Sequence, residues 1–276
     1  MSDRLLVFLA WPCIVSFFQQ AHNTKETRLN PVLLITGASR GIGAATAILA
    51  AQQGWAVAVN YASNAQAANH VVERIQDAGG KAFAVQADVG DEAQILRMFA
   101  EVDDKLGRVS GLVNSAGVVD MTAKVDAQSW QRWERMMRIN ILGSLACARE
   151  AVRRMSTLHG GTGGSIVNLS SAATRLGGAG QYVDYATAKG AIDAFTIGLA
   201  KEVAAEGIRV NAVRPGLIDT DIHASGGLPN RARDLAHLIP MQRAGTAEEV
   251  AQAIVWLLSD ASSYTTMSLM DISGGR

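Results

Sequence analysis

Short apolar runs recur along the chain after residue 30, and longer stretches with helical character lie between them. The runs are short, continuous and rich in Val, Ile, Leu and Ala, which is typical of buried parallel strands. The predicted strands are 32–36, 55–60, 81–87, 109–114, 165–169, 208–213 and 268–272. The predicted helices are 42–53, 63–78, 91–106, 127–158, 183–206 and 247–258, with Ser63 or Asn64 as the candidate cap of the second.

This alternation of strands and helices predicts an α/β protein. Parallel strands need crossover connections, and right-handed crossovers place helices on both faces of the sheet. We therefore expect a doubly wound parallel sheet of about seven strands. We assign it to a single domain over residues 31–276, because no internal repeat and no break in composition divides that range.

Residues 1–30 differ from the rest and are predicted to form an N-terminal extension. Residues 5–18 are an apolar run interrupted by Pro12, and residues 19–30 are polar, as in a linker. The run is shorter than the roughly 20 residues of a membrane span, and Asp3 does not fit the basic start of a signal peptide. A disordered leader, a peripheral anchor and a helix packed on a partner subunit stay open. We expect a cytoplasmic protein without a membrane span.

Charge and reactive side chains exclude several classes of function. The chain has 25 basic and 25 acidic residues, so no basic excess points to a nucleic acid partner. Its two cysteines match no metal-ligand spacing, and its five histidines are scattered without a His-x-x-x-His pair. We therefore expect no metal site and no disulfide framework, and we expect a small molecule as the substrate.

A glycine-rich segment follows the first predicted strand and leads into the first helix. It reads Thr-Gly-Ala-Ser-Arg-Gly-Ile-Gly over residues 36–43. Glycines let the backbone approach a pyrophosphate, and a helix N-terminus offers amides and a positive dipole to that group. The segment therefore predicts a dinucleotide site, with a plain tight turn as the alternative. Its candidate contacts are Gly37, Ser39, Arg40, Gly41, Ile42 and Gly43.

The end of the second strand indicates which nicotinamide cofactor binds. An acidic residue there would bind the ribose hydroxyls of NAD, but the chain has Asn60 followed by Tyr61, Ala62 and Ser63. Arg40 offers a guanidinium group, which matches a 2′-phosphate well. We expect NADP(H) rather than NAD(H), with Asn60 and Arg40 among the contacts. The alternative for Arg40 is a solvated cation.

Tyr185 and Lys189 form the candidate catalytic pair. They are four residues apart in a predicted helix, so both side chains lie on one face. A nearby ammonium favours the phenolate and is expected to lower the pKa of Tyr185 from about 10. A phenol tuned in this way can exchange a proton with a carbonyl or alcohol oxygen. The alternative is a packed aromatic beside a solvated lysine.

Together these segments resemble the short-chain dehydrogenase/reductase family over about residues 31–276. The resemblance is also carried by Asp88-Val89, Asn114-Ser115-Ala116-Gly117, Asn140, Ser170-Ser171, Pro215-Gly216 followed by Thr220, and the tail at 271–275. Each motif is weak alone, but the set in this order is specific. It implies a Rossmann-like fold and hydride transfer between nicotinamide and a carbonyl or secondary alcohol.

The resemblance implies a role for each matching residue. Tyr185 is expected to be the general acid/base, and Lys189 to lower its pKa and bind the nicotinamide ribose. Ser171 is expected to hydrogen-bond the substrate oxygen, and Asn140 to hold a water that links Lys189 to solvent. Asp88 with Val89 is expected at the adenine. The other expected cofactor contacts are Asn114, Ala116, Gly117, Pro215, Gly216, Ile218 and Thr220.

Three departures from the family pattern affect this assignment. Ser115 replaces the second asparagine of Asn-Asn-Ala-Gly, which we expect to be tolerated. Ser171, preferred here to Ser170, lies one residue farther from the tyrosine than is usual, and we attribute the extra residue to a longer loop at 175–181. Met267 stands where the family often has glycine, near an expected subunit contact.

The leading hypothesis is an NADP(H)-dependent carbonyl reductase or alcohol dehydrogenase, most similar to 3-oxoacyl-thioester reductases and sugar dehydrogenases. A homotetramer is expected, because residues 127–155 and the Tyr185 helix resemble the face on which family members associate. The second hypothesis is a non-catalytic NADP(H)-binding regulatory protein of the same fold. The third is a membrane-attached enzyme.

Two groups of arginines are candidate contacts for acidic partners. Six arginines between residues 132 and 154 form a candidate docking face for an acidic acyl carrier, although acidic residues dilute it. Arg231, Arg233 and Arg243 lie in a segment that is expected to close over the substrate. They either attract an acidic substrate or are solvated.

Overall fold

The computed structural model describes residues 30–276, and its framework is a parallel sheet. The predicted apolar leader and most of the predicted linker fall on residues 1–29, outside the described range. The seven strands of the sheet are β1 (Val32–Thr36), β2 (Ala56–Tyr61), β3 (Ala82–Gln86), β4 (Val109–Asn114), β5 (Gly164–Leu169), β6 (Ile208–Pro215) and β7 (Leu269–Ile272).

The strand order places a crevice in the middle of the sheet. The strands run β3-β2-β1-β4-β5-β6-β7, and all neighbours are parallel. The order reverses between β1 and β4, and in α/β sheets ligands bind outside the carboxyl ends of the strands at such a reversal. The register pairs Asn114 with Thr36 on one side and Asn168 on the other, so three strands end at nearly the same level.

Helices cover both faces of the sheet, which confirms the doubly wound prediction. Leu33 and Ile35 of β1 pack into one buried cluster, and Val32 and Leu34 pack into a second cluster on the opposite face. The helices are α1 (Gly41–Gln52), α2 (Ala65–Asp77), α3 (Glu92–Lys105), α4 (Trp130–Met137), α5 (Gly143–Met155), α6 (Ala173–Leu176), α7 (Val183–Val203), α8 (Ile222–Ser225), α9 (Arg231–Asp234) and α10 (Ala247–Leu258). Side chains of α1, α2 and α10 belong to the first cluster, and those of α3, α5 and α7 to the second.

The predicted long helix at 127–158 is instead two α-helices joined by a π-helical turn. The turn spans Arg138–Leu142 and connects α4 to α5. Gly143 follows it, where a Cβ atom would lie 2.6 Å from the carbonyl oxygen of Val89. Apolar periodicity does not separate an α turn from a π turn, so the sequence could not show this break.

Three short helices were not predicted. Each of α6, α8 and α9 has four residues, which is too short for a periodic pattern. Helix α6 occupies the beginning of the predicted loop at 175–181, so that segment is partly helical. Asn64 rather than Ser63 caps α2, because its side chain accepts a hydrogen bond from the amide of Ala67 at 2.9 Å.

Other features of the described residues bear on function. Residues 30–276 hold no group of three or more side chains suited to a metal ion. No helix within the same residues is long and apolar enough to cross a bilayer. Cys147 lies in the core, and burial raises the pKa of its thiol to about 12. A thiol in such surroundings is an inert packing group.

Met267 adopts a left-handed backbone conformation with φ 63° at the position where the family often has glycine. Its amide donates a hydrogen bond of 2.7 Å to the carbonyl of Val210 in β6, just before β7 begins. Its side chain is 43% exposed and so gains little from packing. A residue with a Cβ atom costs about 1–2 kcal/mol in this conformation.

Met267→Gly is expected to raise the free energy of unfolding by about 1 kcal/mol. Glycine removes the Cβ clash, although it also gives the unfolded chain more freedom. Urea denaturation measures the change. Met241→Gly is the matched control, because Met241 is also exposed but lies outside the left-handed region, so this variant is expected to lose stability. Equal losses in both variants would contradict the account of Met267.

Candidate active site

Three glycines shape a cradle between β1 and α1. Gly37 and Gly41 have φ values of 64° and 56°. A Cβ atom on Gly37 would lie 2.8 Å from the Cα of Ala116, and one on Gly43 would lie 2.6 Å from the carbonyl oxygen of Gly37. Glycine is therefore required both by backbone conformation and by close approach to the chain after β4.

The N-terminus of α1 is open toward this cradle. No side chain at its N-cap, Arg40, bonds the first-turn amides, whereas Asn64 caps α2 and Asp91 caps α3. Uncapped amides and the helix dipole attract a negatively charged group.

The open helix end adjoins a cavity of about 620 Å³, and the combination fits a dinucleotide diphosphate. Of the predicted contacts, this cavity is lined by Gly37, Ser39, Arg40, Gly41, Ile42, Gly43, Asn60, Asp88, Val89, Ala116, Gly117 and Thr220.

Asn60 holds the glycine cradle in place through hydrogen bonds to three chain segments. It is buried, and its Oδ1 accepts a hydrogen bond of 3.1 Å from the amide of Gly37. Its Nδ2 donates to the carbonyl groups of Val85 at 3.3 Å and Ala87 at 3.1 Å. Because these partners occupy both ends of the amide, we interpret Asn60 as a residue that positions the glycine segment.

Arg40 is exposed at the rim of the same cavity. Its guanidinium makes one long hydrogen bond, 3.5 Å, to the Ser225 hydroxyl. The four cavity-lining residues at and after the end of β2, residues 61–64, carry no carboxylate. The lining of the same cavity also includes Asp88, Asp221, Arg135 and Arg138.

Thr36 and Asn114 fix the chain after β4. Thr36 Oγ1 accepts hydrogen bonds from the amides of Ser115 at 3.0 Å and Ala116 at 3.1 Å. Asn114 is buried and donates to the carbonyl of Ser144 at 3.1 Å. It lines neither this cavity nor the one beside Tyr185, so the structure does not bring it to the predicted cofactor position.

Tyr185 and Lys189 lie one turn apart on α7 and line a second cavity, of about 440 Å³. Lys189 Nζ donates a hydrogen bond of 2.7 Å to the carbonyl of Leu169 and lies 5.6 Å from the centroid of the Tyr185 ring. Leu169 is the last residue of β5, so the ammonium is held where that strand ends. Lys189 is only 5% exposed, which removes most of its charge from water.

Burial dominates the ionisation of both groups. It lowers the pKa of Lys189 to about 8, and the charge of Asp193 opposes this change. Burial raises the pKa of Tyr185, and a hydrogen bond with Ser171 opposes that rise. The sequence predicted a lowered pKa for Tyr185, because it indicated the neighbouring ammonium but not the desolvation. The phenol therefore holds its proton at neutral pH.

The two adjacent serines have different partners. The Ser171 hydroxyl bonds to Tyr185 and also accepts a hydrogen bond of 3.1 Å from the amide of Ala173. The Ser170 hydroxyl is buried and donates to the main-chain carbonyl of Lys189 at 3.3 Å. Ser171 is therefore the hydroxyl beside the phenol, while Ser170 fastens the end of β5 to α7.

Asn140 lies in the π turn and holds the chain beyond β4. Its Oδ1 accepts from the amide of Val118, and its Nδ2 donates to the carbonyl of the same residue, both at 3.0 Å. A Cβ atom on Gly117 would lie 2.8 Å from the Asn140 Oδ1 and 3.6 Å from the Lys189 Nζ. Asn140 therefore reaches the predicted neighbourhood of Lys189, with its side chain bound to the backbone.

The remaining predicted contacts lie where β6 ends. Among the residues that line the second cavity are Pro215, Gly216, Ile218 and Thr220. Thr220 lies across the glycine cradle, because a Cβ atom on Gly41 would be 3.5 Å from its methyl group. Ile42, Ser115, Gly117 and Thr220 line both cavities, so the two spaces adjoin.

Ion pairs that the sequence analysis did not predict anchor α7. Arg132 of α4 makes a bidentate contact of 2.7 and 3.1 Å with Asp184, which lies next to Tyr185 and is buried. Arg214 of β6 contacts Asp193 at 2.8 Å. No local pattern reveals these pairs, because their partners are far apart in the sequence.

The arginines of the predicted acyl-carrier face are mostly paired within the chain. Arg149 contacts Glu92 at 2.7 Å, and Arg154 contacts Asp103 at 2.7 Å. Glu150 bonds Arg149, Arg153 and Arg154. These pairs weaken the case for this face as a docking surface.

Comparisons with known proteins agree with the geometry. A family model described as enoyl-(acyl carrier protein) reductase matches residues 37–276. An uncharacterized oxidoreductase of Escherichia coli K12, YgfF, is 54% identical, with 89% of this chain and 99% of that protein covered. A 3-oxoacyl-acyl-carrier-protein reductase of Synechocystis is 37% identical, with 88% and 96% covered. The solved short-chain dehydrogenase/reductase of Serratia marcescens superposes with a TM-score of 0.81 at 31% identity, with 89% and 97% covered.

Lys189→Met is expected to raise the free energy of unfolding by about 2 kcal/mol at pH 7. Lowering the pKa of Lys189 from 10.5 to about 8 corresponds to about 3 kcal/mol, and the lost hydrogen bond to Leu169 subtracts about 1. The cost of the ammonium is present in full below about pH 8 and disappears as the pH rises to 10.5. The gain is therefore expected to shrink between these values.

Urea denaturation of Lys189→Met at pH 7 and pH 10 measures this effect. Lys201→Met is the matched control, because Lys201 is an exposed lysine of the same helix and its replacement is expected to change little at either pH. A stability change for Lys189→Met that does not depend on pH would contradict the account of the buried ammonium.

Proposed function

The chain belongs to the short-chain dehydrogenase/reductase family, oxidoreductases that act on CH–OH or C=O groups, and we propose that it is an NADP(H)-dependent carbonyl reductase. One observation carries this proposal: Ser171, Tyr185 and Lys189 meet at one cavity, next to a glycine cradle that fits a dinucleotide.

The cavity residues supply the proton chemistry of a carbonyl reduction. The nicotinamide, when bound, supplies the hydride. Tyr185 holds its proton at neutral pH and donates it to the carbonyl oxygen as negative charge develops there. Ser171 donates a second hydrogen bond to the same oxygen. The ammonium of Lys189 stabilises the phenolate that remains.

NADP(H) is favoured over NAD(H) by the charges at the rim of the larger cavity. Arg40 is exposed there, and residues 61–64 present no carboxylate that would repel a 2′-phosphate. A guanidinium group binds phosphate oxygens through two parallel donors.

The substrate class is a carbonyl compound whose oxygen reaches Ser171 and Tyr185. The name of the Synechocystis relative points to 3-oxoacyl thioesters. The cavity of about 440 Å³ lies in the size range of small-molecule sites. The pairing of the arginines on α4 and α5 favours a free small molecule over a carrier protein.

A homotetramer is the proposed assembly. Large exposed apolar side chains occur in two separate segments of the described chain. Trp130 and Leu142 lie in the α4–α5 region, and Trp256 and Tyr264 lie in α10 and the segment after it. Two self-complementary faces on one chain are what a tetramer with dihedral symmetry requires.

Tyr185→Phe is expected to lower kcat about 100-fold or more while the Kd for NADPH stays within about twofold. The ring remains, but the proton donor is lost. NADPH oxidation is followed with a substrate found by screening β-ketoacyl thioesters, ketones and aldehydes. Tyr182→Phe is the matched control, since Tyr182 lines the same cavity but is not followed by a lysine four residues later. Near-normal turnover of Tyr185→Phe would overturn the catalytic assignment.

Arg40→Ala is expected to raise the KM for NADPH about 10- to 100-fold and to leave the KM for NADH nearly unchanged. Only the phosphorylated cofactor carries the group that Arg40 is proposed to bind, and hydrogen bonds to charged groups contribute about 1.5–3 kcal/mol. Steady-state kinetics with both cofactors measure the effect. Arg74→Ala, an exposed arginine on α2, serves as the control. A wild-type preference for NADH would refute the proposal.

A further inference from the structure

The charged side chains that line the cavity beside Tyr185 are all cationic. Its charged lining residues are Lys189, Arg231 and Arg276, and none of the described residues that line it is Asp or Glu. Seven other lining residues carry a hydroxyl or amide group, Ser171 and Tyr185 among them, and the rest are apolar or glycine. Low-dielectric walls strengthen the attraction of such cations for an anion.

Arg276 has a guanidinium group that contains a buried hydrogen-bond donor without an acceptor among the described residues. Its Nη1 is buried and finds no hydrogen-bond acceptor among residues 30–276. Its main chain is held, because its carbonyl accepts a hydrogen bond of 2.8 Å from Arg175 and its amide donates to the carbonyl of Ser273 at 3.3 Å. A buried donor left unbonded is unfavourable, and the Arg276 side chain that carries it also lines the cavity.

Arg231 approaches the cavity from α9. Its guanidinium carbon lies 5.2 Å from the centroid of the Tyr182 ring. Stacking on an aromatic face holds the guanidinium plane and leaves its edge donors free to bind an anionic group.

Two carboxylates that line a further cavity are paired with other arginines. Asp271 contacts Arg175 at 3.4 Å, and Glu249 contacts Arg243 at 2.5 Å. These two pairs neutralise Arg175 and Arg243, whereas Arg231 and Arg276 line the cavity beside Tyr185. Arg233, which lies two residues after Arg231 on α9, is exposed and does not line the cavity.

We propose that the substrate is a small carbonyl compound that also carries an anionic group, which Arg231 and Arg276 bind while its carbonyl oxygen meets Ser171 and Tyr185. This inference rests on the proposed reductase function and adds the substrate class. Carboxylate and phosphate both match the guanidinium fork. A bound anion also fixes the orientation of the substrate in the cavity.

The test compares acids with their neutral partners. The probes are 4-oxopentanoate and 4-acetylbenzoate, each against its methyl ester, and hydroxyacetone phosphate against hydroxyacetone. NADPH oxidation gives kcat/KM, and calorimetry gives the Kd of each compound for the NADP⁺-loaded protein. We expect the wild type to favour at least one anionic probe over its neutral partner about tenfold or more in one of these readouts. The carboxylate and phosphate probes together show which group is preferred.

Arg231→Met and Arg276→Met are each expected to reduce that preference about tenfold, because each removes a hydrogen bond to a charged group. The kcat/KM and Kd values of the neutral compounds, and the Kd for NADPH, are expected to change less than twofold. Arg233→Met is the matched control and keeps the preference. Arg276→Lys keeps the positive charge and is expected to retain part of the preference for the anionic probe. This result separates recognition of charge from a folding defect.

The outcomes separate this inference from the proposed function. Turnover of neutral carbonyl compounds without any preference for their anionic partners, in kinetics or calorimetry, overturns the anionic substrate and leaves the reductase standing. If Arg231→Met and Arg276→Met raise the Kd for NADPH as much as they raise the Kd for the anionic probe, the inference is also overturned. The arginines would then bind the cofactor and not the substrate. Anion preference in calorimetry without turnover of any probe would support the anion site while removing support from the reductase.

Discussion

The burial of one ammonium group organises the candidate site. Lys189 is almost fully removed from water, and its Nζ is held by the carbonyl of Leu169 at the end of β5. Such burial favours the neutral amine, as its lowered pKa shows, so the fold must hold the group in place by other contacts. Helix α7 is accordingly fixed by Arg132 at Asp184, by Ser170 at the Lys189 carbonyl and by Arg214 at Asp193.

Hydrogen bonds of buried amide and hydroxyl side chains also hold the chain segments around the crevice in place. The side chains of Asn60, Thr36 and Asn140 bond to main-chain groups of strand ends or of the segments that follow them, and Asn114 bonds to the carbonyl of Ser144 in α5. Thr36 joins β1 to the chain after β4 across the reversal of strand order, and Asn60 joins the segments that follow β1 and β3. These bonds place the glycine cradle and the catalytic candidates against adjoining cavities.

Much of the fold and of the site was predictable from local pattern. The apolar strand runs, the glycine segment and the spacing of Tyr185 and Lys189 are short-range signals, and the structure places each of them as predicted. The π turn at Arg138–Leu142 was not predictable, because its apolar pattern fits an α-helix equally well. Neither was the raised pKa of Tyr185, since desolvation depends on the whole surroundings of a side chain.

The charged residues that line the cavity beside Tyr185 were also only partly predictable from the sequence. The sequence suggested Arg231 as one of three candidate contacts, and the structure pairs one of these, Arg243, with Glu249. Arg276 was not singled out, because only the fold brings the end of the described chain beside α9 and α7. Charge along the chain shows which cations exist, whereas their partners are set by contacts between distant segments.

A crystal structure of the protein with bound NADP⁺ tests the central claim most directly. The account predicts the diphosphate at the open end of α1, the nicotinamide in the cavity beside Tyr185, and Lys189 Nζ within hydrogen-bonding distance of the nicotinamide ribose. A nicotinamide bound away from Tyr185, with no contact between its ribose and Lys189, would contradict it.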